Sequence, residues 1–131
     1  MMEIERAGHY KDKTNIIIKR ASQIESWVQN ISVDQFLEDD RTKLATYKAF
    51  QEIVEACMDI IAMMCKDMDI IPKDDYSNIE NLELIEENTK TSLAAANGLR
   101  NRLVHRYNRT DDRIALESIN ALLPELSGFV E

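Results

Sequence analysis

The segment from about Thr42 to Lys66 constrains the fold more than any other part of the chain, because its apolar residues recur at helical spacing on two neighbouring stripes. One stripe holds Leu44, Tyr47, Val54, Met58, Ile61 and Cys65, and the other holds Phe50, Ile53, Cys57, Ile60 and Met64. Apolar residues three and four positions apart are typical of a helix that buries one face. Two stripes widen that face, so we expect a helix that is central to a bundle or shared with a second subunit.

The remaining segments also have a helical period. A first segment carries its stripe at Ile17, Ala21, Ile24, Val28 and Ile31, and a polar connection follows, in which Phe36 and Leu37 are expected to hold a single turn against the core. Strand patterns are absent, and the 131 residues include only three glycines and two prolines. The sequence therefore predicts one domain, residues 1–131, folded as an all-α bundle of about five helices.

Several residues predict where helices begin and end. We expect Pro72 to end the second segment and Pro124 to kink or break the fifth, since proline lacks the amide proton that a helix interior needs. The expected N-terminal caps are Ser77 with Glu80 in a capping box for the third segment, Thr91 or Ser92 for the fourth, and Thr110 for the fifth.

Composition excludes some classes of function. No apolar run is long enough to span a membrane, and the polar start MMEIERAGHYKDK does not resemble a signal peptide, so a cytoplasmic protein is expected. A net charge of -8 argues against a broad nucleic-acid-binding face but leaves room for a small basic cleft. Cys57 and Cys65 lie eight residues apart on one helix, roughly 12 Å, which predicts buried free thiols rather than a disulfide. No metal-ligand spacing is present, and neither a metal nor another cofactor is expected.

The stretch RNRLVHRY, residues 100–107, stands out in this acidic chain, because five of its eight arginines fall between positions 100 and 113. On a helix, Leu99, Leu103 and Tyr107 would face the core, Asn101 and His105 would share one flank, and Arg102 and Arg106 would lie on the outer face. Gly98 predicts close approach by another backbone or by a substrate.

Arginine and histidine together suit the cleavage of an RNA phosphodiester. The planar guanidinium binds phosphate oxygens, and imidazole takes and gives protons near neutral pH. Arg100 lies about one helical turn before His105, so a single phosphate could touch both. A two-fold dimer that pairs the fourth segments would bring two histidines into one cleft, as base and acid. Arg102, Arg106 and Arg109 are weaker candidates for phosphate contacts.

The spacing Arg-X4-His-X-Tyr, here Arg100, His105 and Tyr107, resembles the motif of HepT-like toxins of the HEPN superfamily, and the likeness extends over nearly the whole chain. The resemblance implies an all-helical, dimeric, metal-independent ribonuclease of a toxin–antitoxin pair. It implies that Arg100 and His105 are catalytic, with Asn101 supporting them. It also implies a partner, a minimal nucleotidyltransferase (MNT) antitoxin, that blocks the cleft by adding AMP to Tyr107. Arg106 departs from the pattern.

Two other interpretations remain open. One is a non-catalytic helical dimer that binds a nucleotidyltransferase partner or a nucleotide, which the negative charge favours. The other is a purely structural dimerisation protein, which leaves the arginine cluster unexplained. Glu52, Glu55 and Asp59 on the long helix either line the cleft and orient His105 or belong to a solvated face.

Overall fold

The computed structural model describes residues 2–105 and 111–130, with the side chains of residues 2–6 and of His105 excepted. Six helices form this part of the chain: α1 (Met2–Val28), α2 (Val33–Glu38), α3 (Asp40–Asp67), α4 (Asp75–Asn81), α5 (Glu87–His105) and α6 (Asp112–Phe129). The described residues include no strand, and the predicted all-α class is confirmed. The short α2 is the expected single turn, and the Phe36 ring is fully buried.

Helix α3 is the centre of the bundle, because it contacts each of the other five helices. Both predicted stripes face inward, and the completely buried side chains include Phe50, Ile53, Val54 and Ile61. Leu44 is the exception, since 57% of it is exposed near the start of the helix. The wide apolar face thus explains why one helix serves as the packing partner of all the others.

Helix α1 runs antiparallel to α3. Residues further along α1 pair with residues earlier in α3, through the contacts Tyr10–Asp67, Lys13–Asp59 and Arg20–Glu52. On the same helix, Ile17, Ala21 and Ile24 are buried in the core. The stripe continues to Ile31 in the sequence, but the helix ends at Val28, and Ile31 packs on the core from the connection.

Helix α5 packs against α3, α4 and α6. Its buried apolar face consists of Leu93, Ala96, Leu99 and Leu103, and α6 contributes Leu116, Ile119, Leu123 and Leu126. The predicted inward orientation of Leu99 and Leu103 is therefore confirmed. Helix α4 contacts α3 and α5, and its Asp75 reaches Arg100 of the Arg-X4-His motif.

Three predicted N-terminal caps are wrong. Asp74 caps α4, and the amide of Ser77, the predicted cap, donates to the Asp74 carboxylate at 2.8 Å. Helix α5 begins at Glu87, which places Thr91 and Ser92 inside the helix. Helix α6 is capped by Asp111, which accepts from two backbone amides, whereas Thr110 lies outside the described residues. In α4 and α6 an aspartate performs the role, since its carboxylate accepts amide hydrogen bonds as well as a hydroxyl does.

Neither proline ends a helix, although Pro72 is predicted to end the second segment and a break is one of the two outcomes predicted for Pro124. Helix α3 already ends at Asp67, where Asp69 takes a left-handed conformation with φ of 61°, and Pro72 comes five residues after the last helical position. Helix α6 continues without a break through Pro124. Pro124 and Asn120 are both exposed, so the carbonyl that loses its helical partner can be hydrated.

Both cysteines are free and buried, as predicted. Burial raises the pKa of the Cys57 thiol to about 12, and burial also raises the pKa of Cys65. A protonated, enclosed thiol is a poor nucleophile, so neither cysteine is a candidate for catalysis. Within the described residues, none of the helices has both the length and the apolar character needed to cross a membrane.

Candidate active site

Arg100 occupies the last third of α5, and three side chains hold its guanidinium. Its Nη2 donates to Asn97 Oδ1 at 2.7 Å and to Asp75 Oδ2 at 3.3 Å, and its Nη1 lies 3.7 Å from Glu55 Oε1. Only 18% of the Arg100 side chain is exposed. The partners come from α5, α4 and α3, so three helices define where this positive charge lies.

The Nε atom of Arg100 is buried and has no hydrogen-bond partner among the described residues. A buried donor without an acceptor has a desolvation cost that a surface arginine avoids. The structure therefore places a guanidinium in a largely enclosed position, with its two terminal nitrogens in contact with other side chains.

The three carboxylates of α3 that were candidates for the cleft, Glu52, Glu55 and Asp59, contact different partners. Glu52 pairs with Arg20 and Asp59 pairs with Lys13, both across the α1–α3 contact. Glu55 alone reaches the motif, where it contacts Arg100 and also accepts from Gln51 at 2.9 Å. Of the three predicted carboxylates, only Glu55 is thus brought to the candidate site, and its contact there is with Arg100.

The rest of the motif is described only in part. Asn101 is half-buried and Arg102 is exposed, in agreement with the predicted outer face for Arg102. His105 is the last described residue of α5, five residues after Arg100, or about 1.4 helical turns. The side chain of His105, together with Arg106, Tyr107 and Arg109, lies outside the described residues. The roles assigned to these four residues stay predictions.

Of the two neighbours predicted for Gly98, another backbone is not found within 4 Å among the described residues, and a substrate stays a prediction. A Cβ atom there would lie 3.5 Å from the hydroxyl oxygen of Tyr76 and 3.8 Å from Nη1 of Arg102. These are ordinary contact distances, so the close neighbour is a side chain from α4. Tyr76 itself is 48% exposed, next to Asp75, which contacts Arg100.

An open groove of about 210 Å³ lies between α3 and the end of α5. It is lined by Leu44, Tyr47, Lys48, Gln51, Leu103 and Val104. Two of these apolar side chains, Leu44 and Val104, are about half exposed. An apolar surface therefore lies beside the residue that precedes His105.

Sequence reasoning missed Asn97 and Asp75 as members of the site. Asn97 had a detectable signal in the sequence, because it lies four residues after Leu93 on the face where an apolar residue is expected. In the structure only 1% of Asn97 is exposed. Asp75 had none, since 25 residues separate it from Arg100 and only the packing of α4 on α5 brings the two together. Among the described residues, no three His, Cys, Asp or Glu side chains are grouped so as to hold a metal ion.

Comparison with known proteins places this site in a family context. A family model described as "Ribonuclease HepT-like" matches residues 17–131. An Archaeoglobus fulgidus protein named "Putative RNase" is 33% identical over 132 residues, which cover 96% of this chain and 91% of the relative.

Two solved structures share the fold. One is a tri-AMPylated Shewanella oneidensis HEPN toxin in complex with MNT antitoxin, with a TM-score of 0.86 and 23% identity over 93% of each chain. The other is a toxin–antitoxin structure with AMP-PNP, with a TM-score of 0.83 and 22% identity over 93% of this chain and 95% of that one. These identities are low, so the structures bear on the fold, whereas the sequence matches bear on the family. The chain belongs to the HepT-like ribonuclease family, as the spacing of Arg100, His105 and Tyr107 predicted.

Proposed function

We propose that the protein is a metal-independent endoribonuclease toxin, in which Arg100 and His105 cleave RNA at the cleft of a homodimer. The family match over residues 17–131 carries this proposal, because it includes the helix on which both residues lie. The enclosed guanidinium of Arg100 supports it, since a preorganised positive charge stabilises the charge that develops on a phosphate in the transition state.

The proposed reaction needs a base, an acid and a positive charge. The base takes the proton from the ribose 2′-hydroxyl, and the 2′-oxygen attacks phosphorus. The bond to the 5′-oxygen of the next nucleotide breaks, and the acid protonates that oxygen. The products are a 2′,3′-cyclic phosphate and a free 5′-hydroxyl. In the proposed dimer the imidazoles of two His105 residues act as base and acid, while Arg100 binds the non-bridging phosphate oxygens.

The groove between α3 and α5 supports a dimer on this side of the bundle. Leu44 and Val104 expose apolar surface there, and His105 follows Val104 directly on α5. Burial of this surface against a second copy would bring the two motif-bearing ends close to each other. The cleft would then have Arg100, Asn101 and His105 from both protomers, with Arg102, Arg106 and Arg109 as further contacts to RNA phosphates.

Regulation by a nucleotidyltransferase partner fits the same site. The Shewanella oneidensis toxin that shares this fold is described as tri-AMPylated and in complex with MNT antitoxin. In this protein the phenol oxygen of Tyr107 would attack the α-phosphorus of ATP, pyrophosphate would leave, and AMP would remain on Tyr107. The adduct adds bulk and negative charge two residues from His105, where an RNA phosphate must bind.

A second candidate is a non-catalytic helical dimer that binds a nucleotidyltransferase or a nucleotide. The charge distribution favours it, because the chain carries a net charge of -8 and Arg100 already contacts two carboxylates, Asp75 and Glu55. Both carboxylates would repel an approaching RNA phosphate. The two candidates differ in whether the purified protein breaks RNA.

Cleavage of single-stranded RNA in EDTA tests the proposal. We expect products with 2′,3′-cyclic phosphate ends, and we expect Arg100→Ala and His105→Ala to lose at least about 100-fold in rate with an unchanged helical circular dichroism signal. The Tyr107→Phe variant should cleave RNA but accept no AMP from the partner and ATP, as followed by mass spectrometry. Intact RNA in the presence of folded wild-type protein would favour the binding module instead.

A further inference from the structure

Asn97 is the best-fixed partner of the Arg100 guanidinium. Its Oδ1 atom accepts the shortest of the three contacts, at 2.7 Å, and the residue is 1% exposed. The two residues lie three apart on α5, so the helix itself sets their separation. A buried amide on the same helix has little freedom to leave its position.

The other two partners are held less firmly. Asp75 is 38% exposed and contacts Arg100 at 3.3 Å, while Glu55 is 45% exposed and lies 3.7 Å away. Carboxylates with this much exposure can rotate into water, which hydrates them well. An incoming phosphate can therefore replace them on the guanidinium, whereas it cannot replace a buried amide.

The three partners of Arg100 also differ in charge. The amide of Asn97 accepts a hydrogen bond without adding negative charge, so Arg100 keeps its full attraction for phosphate. Each carboxylate instead neutralises part of the positive charge and repels the substrate. A neutral and buried acceptor is thus the one side chain here that can orient the guanidinium without weakening its electrostatic role.

We propose that Asn97 is a positioning residue, which holds the Arg100 guanidinium toward the scissile phosphate while Asp75 and Glu55 give way to RNA. This inference rests on the proposed function, because it assumes that Arg100 acts on the substrate. It predicts that loss of the Asn97 amide affects the catalytic step more than RNA binding, since a misdirected guanidinium still attracts phosphate but stabilises the transition state poorly.

Steady-state cleavage of a single-stranded RNA of mixed sequence, labelled with a fluorophore and a quencher, tests the inference in the full-length protein. In Asn97→Ala we expect kcat to fall by about 10-fold or more, with KM within about twofold of wild type. In Asn97→Asp the oxygen acceptor remains but a negative charge is added. We expect KM to rise several-fold at low salt and to approach the wild-type value as salt increases.

A matched core variant controls for loss of stability. Ile119→Val removes one methyl group from a fully buried side chain of α6, a helix that supplies none of the three contacts to the Arg100 guanidinium, and it lowers stability by truncating the core. All variants are assayed at a temperature where each is fully folded by circular dichroism. If Ile119→Val loses kcat as Asn97→Ala does, the effect is general destabilisation and the inference is wrong.

The outcomes separate the inference from the function on which it rests. A wild-type kcat in Asn97→Ala, together with inactive Arg100→Ala, would overturn the inference alone. Wild-type cleavage by Arg100→Ala would overturn the role of Arg100 in the proposed function, and the positioning role of Asn97 with it. Should Asn97→Ala fail to fold, Asn97→Asp still tests the inference. An unchanged KM at low salt in that variant would contradict the claim that the partner of Arg100 at position 97 must be uncharged.

Discussion

Arg20 and Arg100 contact glutamates one turn apart on the same helix, yet their surroundings differ. Arg20 on α1 pairs with Glu52, and both side chains are 32% exposed. Arg100 on α5 lies near Glu55, is 18% exposed, and also contacts a buried amide and a carboxylate from a third helix. Arg20 thus connects two helices across a hydrated contact, whereas Arg100 is held from three directions.

The difference shows what separates a packing contact from a candidate catalytic group. A half-exposed ion pair contributes little to stability, because water screens the attraction and the long side chains lose rotamer freedom. An enclosed guanidinium has a larger desolvation cost and keeps a fixed orientation, which is useful only if a ligand benefits from it.

Replacement of each arginine by lysine should give the clearest difference between Arg20 and Arg100. Lysine keeps the charge but loses the planar fork, so Arg100→Lys should lower the rate of RNA cleavage by about 100-fold. Arg20→Lys should leave the rate within about twofold, because a half-exposed pair with Glu52 tolerates an ammonium group. Initial rates of RNA cleavage measure both. Equal losses in the two variants would mean that Arg100 has no special role.

Double-mutant cycles on urea unfolding should give different coupling energies. For Asn97 and Arg100 we expect about 2 kcal/mol, since a buried amide accepts from a charged donor. For Arg20 and Glu52, whose exposure weakens the interaction, we expect less than about 1 kcal/mol. Addition of 0.5 M NaCl should reduce the Arg20–Glu52 coupling energy more than the Asn97–Arg100 coupling energy. A larger coupling for the exposed pair would reverse the comparison.

Acid unfolding should test the Asp74 cap of α4, the helix that carries Asp75 to Arg100. The amide and the hydroxyl of Ser77 donate to Asp74, and these hydrogen bonds lower the pKa of Asp74 below its ordinary value of 3.8. Because the pKa is lower in the folded state, the stabilisation is complete above the unfolded pKa and is lost as the pH falls through the folded one. Below about pH 4, Asp74→Asn should lose less stability than wild type, since asparagine caps a helix without titrating.

A parallel substitution serves as the control for this smaller effect. Asp39 caps α3, and its hydrogen bonds with Thr42 lower its pKa in the same way. Asp39→Asn should therefore show the same reduced sensitivity to acid, while only the Asp74 cap supports the helix that carries Asp75 to Arg100. Circular dichroism between pH 2 and pH 6 follows both variants. An Asp74→Asn curve parallel to that of wild type would contradict the assigned cap.

Much of the fold and of the motif could be predicted from the sequence. The period of apolar residues depends only on helix geometry, so the central helix and the inward-facing Leu99 and Leu103 are visible without a structure. Helix ends were less predictable. Ser77 and Asp74 are both good caps by chemistry, and the earlier one, Asp74, caps the helix. Of the kink or break predicted at Pro124, the break is absent, because the exposed carbonyl that loses its helical partner can bond to water.

The helical class, the buried free cysteines and the spacing of Arg100 and His105 are all visible in the sequence, because each follows from order along the chain and from helix geometry. The surroundings of Arg100 depend instead on how the helices pack. Glu55 and Asp75 lie 45 and 25 residues before it, and Asn97 became its buried partner because α3 and α4 close over that face of α5. Contacts between distant segments depend on how whole helices pack, and no local pattern encodes that arrangement.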